Sequence, residues 1–227
     1  MQEEISKHSR KIYKTVKDPK HTFSEKAKEI TIEIFIIVFA VSLSIWLHGW
    51  SEHRHEQKEA NKFLKELNED LAADIKVLEE NKNTATMLNN DYKFMLALKK
   101  NKTSDSLIGS HTNFSLLSTN FNVGRYEGFK SSGKIGTIED DKIKNKILSY
   151  YQQTIPNLTS RVNFINAEQL RILDVDAGNL SLNDVYTTQR MQSKYFNLQY
   201  NTNSLIATYE EVIKQLNEII LENKKKE

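Results

Sequence analysis

The chain contains no cysteine. That excludes disulfides, thiolate zinc sites and cysteine nucleophiles, and it leaves the redox compartment open. Proline is nearly as scarce, with two in 227 residues, and four of the seven glycines fall between Gly124 and Gly136. Long intervals free of both breakers favour helices. Neither charge sign dominates: 32 Lys and Arg against 30 Asp and Glu leave a net charge of +2. That balance points to no nucleic-acid partner and no acidic tail. No long strand pattern competes with the helical spacings, so the expected fold class is all-α.

What is present is concentrated near the N-terminus. Residues 30–50 read ITIEIFIIVFAVSLSIWLHGW. As a helix these 21 residues span about 31 Å, close to the roughly 30 Å hydrocarbon thickness of a bilayer. Every face is apolar over Ile34 to Leu47, unlike the one-sided stripe of a surface helix in a soluble protein. Glu33 stands at the edge of the run. The 29 preceding residues are long for a signal-peptide n-region, and no small-x-small cleavage site follows. The segment therefore reads as an uncleaved signal anchor. Residues 1–29 carry eight basic residues (Lys7, Arg10, Lys11, Lys14, Lys17, Lys20, Lys26, Lys28) against five acidic ones; residues 51–70 carry four against six. The positive-inside rule then predicts a cytoplasmic N-terminal segment (1–29), a transmembrane helix (30–50) and a periplasmic domain (51–227) of a bacterial inner-membrane protein. Trp46 and Trp50, one turn apart, with Arg54 continuing their face, are the expected membrane-interface anchors.

Beyond the apolar run, Leu64, Leu67, Leu71, Ile75 and Leu78 recur at spacings of 3, 4, 4 and 3, and Leu88, Tyr92, Met95 and Leu96 extend them. With Thr22 to Glu25 in capping-box spacing, one helix is predicted from about 24 to 101. Residues 104–136 read as irregular with short helical pieces. Thr137 to Asp140 again has capping-box spacing before the apolar face of Ile143, Ile147, Tyr150 and Tyr151. Pro156 is expected to interrupt or kink that helix. The next carries Leu158, Val162, Ile165, Leu170 and Leu173 and stops at Asp176-Ala-Gly178, with Gly178 left-handed. A last helix from 182 or 183 to 223 bears a heptad seam of Leu198, Leu205, Tyr209, Val212, Leu216 and Ile219. The transmembrane helix is thus expected to continue into a long member of an antiparallel extracytoplasmic helical bundle. No second membrane span precedes the terminal Lys-Lys-Lys-Glu, so a signal would have no covalent route back through the bilayer.

Three near-motifs each fail at a decisive position. Gly128 to Lys134 matches the spacing of a phosphate-binding loop, but Ile135 replaces the hydroxyl that ligates magnesium. Asp174-Val-Asp176-Ala-Gly178-Asn179 swaps the fifth and sixth positions of a calcium loop and puts Val185 in place of its closing Glu. His55-Glu56 begins a zinc-protease helix motif, yet Glu59 replaces the second histidine. His53 and His55 point to opposite sides of a helix, so His48, His53 and His55 form no compact set within one chain. A Ser-His-Asp arrangement in the outer domain would depend on His111 alone. The carboxylates Glu139 to Asp141 suit a helix start, where the dipole favours negative charge. The expected inventory is no catalytic residue, no cofactor and no metal. Arg125, Tyr126, Phe129, Lys130 and Lys134 are the candidate contacts for an anion or ligand.

Two blocks carry a family resemblance. EIFIIVFAVSLSIWLHGWSEHRHEQ (33–57) closes an apolar run on Trp50-x-Glu52, and YEGFKSSGKIGTIEDDKIKNKILSYY (126–151) joins Lys-Ser-Ser-Gly to a Tyr-Tyr helix. Together they resemble a family of small single-pass membrane proteins common in Bacteroidota, a domain of unknown function. The family's Asn-rich approach to the tryptophan is replaced here by Leu-His-Gly. The resemblance implies an inner-membrane protein with a helical periplasmic domain and no established activity, and it makes 128–135 a structural segment. The functional expectation is a non-enzymatic membrane-anchored scaffold that self-associates or docks a membrane or periplasmic protein. The alternative is a ligand-sensing module that relays through a partner.

Overall fold

A computed structural model describes residues 2–17, 23–100, 102–112, 115–174, 178 and 180–225. Among them every regular element is helical: α1 (Gln2–Lys17), α2 (Phe23–Leu96), α3 (Asp105–Ser110), α4 (Gly124–Ser131), α5 (Asp141–Ser149), α6 (Ile155–Leu173), α7 (Leu182–Tyr186) and α8 (Gln189–Lys224). A 3-10 turn covers Lys134–Thr137 and a π turn covers Tyr150–Thr154. Two compact units divide the chain at residues 58 and 59. The first holds α1 and the start of α2; the second holds everything from Glu59 onward.

α2 runs 74 residues because nothing but Gly49 interrupts its helix formers. It stops five residues before the predicted end. Ala97 N–H is shared between the carbonyls of Lys93 and Phe94, at 3.1 and 3.0 Å. Gln192 Nε2 donates to the Met95 carbonyl at 2.9 Å. A side chain from α8 thus takes an orphan carbonyl of the last turn. Thr22, the expected cap at the other end, lies outside the described residues.

In the second unit α2, α6 and α8 are the long members. Asn223 of α8 donates to Asn68 of α2 at 2.9 Å, Lys82 meets Glu210 at 3.8 Å, and the rings of Tyr92 and Tyr195 lie 6.1 Å apart. Rising numbers in α2 therefore meet falling numbers in α8. Arg161 of α6 donates to Thr208 and Ser204 of α8 at 2.7 and 2.9 Å, and Lys142 and Lys146 of α5 reach Glu222 at 2.8 and 3.1 Å. The interior holds Leu67, Leu71, Leu78, Ile147, Leu158, Val162, Leu205 and Leu216, all fully buried. Burying each such side chain contributes about 1.5–3 kcal/mol.

Three local expectations are corrected and one takes a specific form. Asp140 rather than Thr137 caps α5, accepting from Ile143 N–H at 3.0 Å, while Thr137 closes the preceding 3-10 turn. At Pro156 the expected interruption takes the form of a π turn: α5 ends at Ser149, and Pro156 falls in the first turn of α6, directly after that turn. Proline cannot donate to the carbonyl four residues back and its ring collides with it; a π turn widens the backbone at that place. In α6, Gln169 and Ile172 turn inward, and Leu170 and Leu173 are exposed. The 4-then-3 step from Ile165 preserves the helical phase, whereas a step of 5 rotates a residue about 140° off the stripe.

The last correction concerns the final helix, which is two. Ser181 caps α7 and Thr188 caps α8, accepting from Met191 N–H. Thr188→Ala is expected to cost about 1 kcal/mol. In a domain of this size that lowers the melting midpoint by about 2–4 °C, measurable by circular dichroism.

Candidate functional site

In the first unit the apolar stretch of α2 is bare. Phe35, Val38, Phe39 and Ile45 are each more than half exposed, and only 6% of the most apolar window is buried. One helix near the N-terminus is long and apolar enough to cross a membrane. Ser44 Oγ donates to the Ala40 carbonyl at 2.8 Å, satisfying the hydroxyl within the helix. Trp46 and Trp50 are exposed, and the Arg54 guanidinium lies over the Trp50 ring at 4.7 Å. The three anchor residues thus share one face. At the other edge of the run, Glu33 is buried and pairs with both His8 and Lys11 of α1. His48, His53 and His55 lie along α2, and no group of three ligands suited to a metal forms among the described residues.

In the second unit Arg125, Phe129 and Lys134 line a groove of about 330 Å³ between α2 and α4, and Tyr126 and Lys130 do not. Phe129 stacks on Phe63 with ring centroids 3.9 Å apart. Lys134 Nζ lies 2.9 Å from Glu59, and Lys130 lies 3.9 Å from Glu127. Arg125 Nε is 3.3 Å from Asp70, with its Nη1 3.8 and 3.7 Å from Glu66 and Glu69. Each of the three cations already faces a carboxylate of its own chain. Tyr126 is fully buried, stacked on Tyr151 at 4.2 Å, and accepts from Gln152 Nε2 at 2.9 Å.

The interior beside Tyr126 contains residues that periodicity missed. Asp74, fully buried in α2, accepts from Asn122 N–H (2.8 Å), Asn122 Nδ2 (2.9 Å) and Tyr150 Oη (2.8 Å). Burial pushes its carboxyl above the usual 3.8, against the lowering effect of those three bonds. Burial likewise pushes Tyr150 and Tyr151 up, with Asp74 adding to both. The π turn allows two consecutive tyrosines, 150 and 151, to face inward together. The connection before α4 is stapled by amides. Asn81 accepts from Ser118 N–H and donates to its carbonyl, both at 2.8 Å; Asn166 does the same for Leu117 at 3.0 and 2.9 Å. Two asparagines thereby replace the neighbouring strand that an extended segment would otherwise need.

No family model, curated protein or solved structure matches the chain. The residues alone carry the functional reading.

The near-motifs take ordinary conformations. Residues 128–135 run through the end of α4, a left-handed Gly133 (φ 76°) and a 3-10 turn, with no strand before them among the described residues. Gly178 is left-handed as expected (φ 54°), and Asp174 closes α6. Asp176 and Asn179 of the calcium-like stretch lie outside the described residues. His111 Nδ1 meets Asp91 at 2.8 Å, and its ring stacks on Phe94 at 3.8 Å. The neighbouring hydroxyls of Ser110 and Thr112 donate to the carbonyls of Leu107 and Gly109. A histidine oriented by a carboxylate is present there, with the adjacent hydroxyls committed to backbone.

Proposed function

We propose that the chain is a non-enzymatic, membrane-anchored interaction protein. Residues 30–50 cross a bacterial inner membrane once, with the N-terminus in the cytoplasm. The domain from residue 51 onward is a periplasmic antiparallel helical bundle that self-associates or docks a partner protein. The carrying observation is the bare apolar surface of α2, closed by Trp46, Trp50 and Arg54 at one end. Water tolerates so continuous an apolar surface poorly, and a bilayer requires it. The antiparallel arrangement is supported by the pairings of α2 with α8.

The surface that drives association is not the heptad seam. All six of its residues are buried against the chain's own helices. Support for self-association comes instead from Ala40 and Ser44, one turn apart in the span, where small residues permit close helix contact. Exposed Phe196 and Tyr200, also one turn apart on α8, add a second apolar pair. Mass photometry of the detergent-solubilised protein is expected to show a dimer or trimer; a monomer mass would count against self-association.

A second reading, a ligand-sensing module, is favoured by one observation, the aromatic-floored groove of Phe63 and Phe129. Thermal-shift screening against metabolites and anions separates the two. A stabilising hit abolished by Phe129→Ala supports the sensor, and an absence of hits supports the scaffold.

A further inference from the structure

The charges of α1 have a specific arrangement. Positions 6, 10, 13, 14 and 17 recur at spacings of 4, 3, 1 and 3, which places them on one face of a helix. They are Ser6, Arg10, Tyr13, Lys14 and Lys17, and all are exposed. Lys17 Nζ sits 4.4 Å over the Tyr13 ring. From Ser6 to Lys17 the face therefore combines three cations with an amphipathic aromatic ring, and Glu3 lies in the same phase one turn before it. A different flank of the same helix is committed: His8 and Lys11 hold the buried carboxylate of Glu33. Glu33 is the last charge before the apolar run of α2, so these two pairs attach α1 at the height where that run begins.

We propose that the Arg10–Tyr13–Lys14–Lys17 face of α1 docks on the anionic headgroups of the bilayer that α2 enters, with Glu33 as its attachment point. The inference rests on the reading that residues 30–50 cross a membrane. Charge complementarity selects the partner. Lys and Arg beside an anionic leaflet each gain attraction within a Debye length of the surface, and Tyr settles at headgroup level. The covalent connection to α2 makes the encounter intramolecular, so modest attraction per residue is enough. At about fivefold per cation, three cations bias the docked state on the order of a hundredfold over a neutral surface.

The absence of cysteine makes the test direct. The full chain carrying Ser6→Cys is labelled with an environment-sensitive fluorophore and placed in nanodiscs. One set is phosphatidylcholine alone, and the other contains about one-third phosphatidylglycerol, enough to give a strongly anionic surface. Accessibility of the label to acrylamide, a neutral quencher, is compared. Quenching is expected to fall severalfold in the anionic discs. That protection should disappear in about 0.5 M salt, where the Debye length shrinks to a few ångströms. It should also disappear in the Arg10→Gln/Lys14→Gln/Lys17→Gln variant. Equal quenching in both lipid compositions, or protection that survives the triple substitution, would overturn the proposal. A parallel Ile45→Cys label separates this from the membrane reading. If position 45 is shielded in both compositions while position 6 stays open, only the α1 proposal fails; if position 45 is open, the membrane span itself fails.

Discussion

Asp74→Ala is expected to lower the stability of the helical domain by roughly 3–4 kcal/mol. The substitution removes the acceptor for Asn122 N–H, Asn122 Nδ2 and the Tyr150 hydroxyl at once. It leaves polar groups without a partner in the wall between α2 and the π turn. Asp74→Asn is expected to behave differently, because one amide oxygen can keep both Asn122 bonds and the Tyr150 hydroxyl can turn to accept from the amide. The pair also predicts a pH dependence. Burial raises the folded carboxyl above its usual 3.8, so folding favours the protonated form. That contribution is fully present below the unfolded value and is lost as pH rises through the folded one. The native chain should therefore lose stability relative to Asp74→Asn as pH increases upward from about 4. Urea unfolding across that range measures both effects. An Asp74→Ala midpoint equal to the native one would refute the role assigned to the cluster.

The second large effect is in the first unit. Phe39 and Leu43 lie one turn apart, 57% and 41% exposed. If water surrounded them, replacing both by arginine would change stability by about 0.5 kcal/mol or less each. In the middle of a bilayer each arginine costs about 2.5–3.5 kcal/mol on the insertion scale. The double variant Phe39→Arg/Leu43→Arg is expected to leave the carbonate-resistant membrane fraction, while thermal unfolding of the residues beyond 59 stays unchanged. A variant that remains in the membrane pellet as fully as the native chain would contradict the span.

Much of the helical framework was legible because its signals are local and periodic. The 3-4 spacing of Leu64, Leu67, Leu71 and Leu78 marked α2, and the seam from Leu198 to Ile219 marked α8. The missed inward positions share a cause: a polar side chain takes a core place. Asp74 and Asn81 sit in the buried phase of α2, which an apolar count reads through Ile75. Gln169 likewise occupies the inward phase of α6 while Leu170 faces out. Hydrogen-bond partners far along the chain decide such positions, and the partner of Asp74 lies 48 residues away at Asn122. Phase alone could have raised Asp74, Asn81 and Gln169 as inward candidates. Their partners could not be read from spacing. The break between α7 and α8 was signalled only by Thr188, a cap without an acidic residue three positions on. At the candidate groove, composition singled out Arg125 and Lys134 of the lining. It could not show that Glu59, Glu66, Glu69 and Asp70 of α2 face them, because that depends on how α4 packs.

The most direct test of the membrane-anchored reading is the sidedness of the two ends of the chain. Single-cysteine variants Ser6→Cys and Ser193→Cys, both at exposed positions, are treated with a membrane-impermeant maleimide on intact spheroplasts and again after lysis. Position 193 is expected to label in both states and position 6 only after lysis. Labelling of position 6 on intact spheroplasts, or of neither position until lysis, would contradict a single crossing with the helical domain outside the cytoplasm.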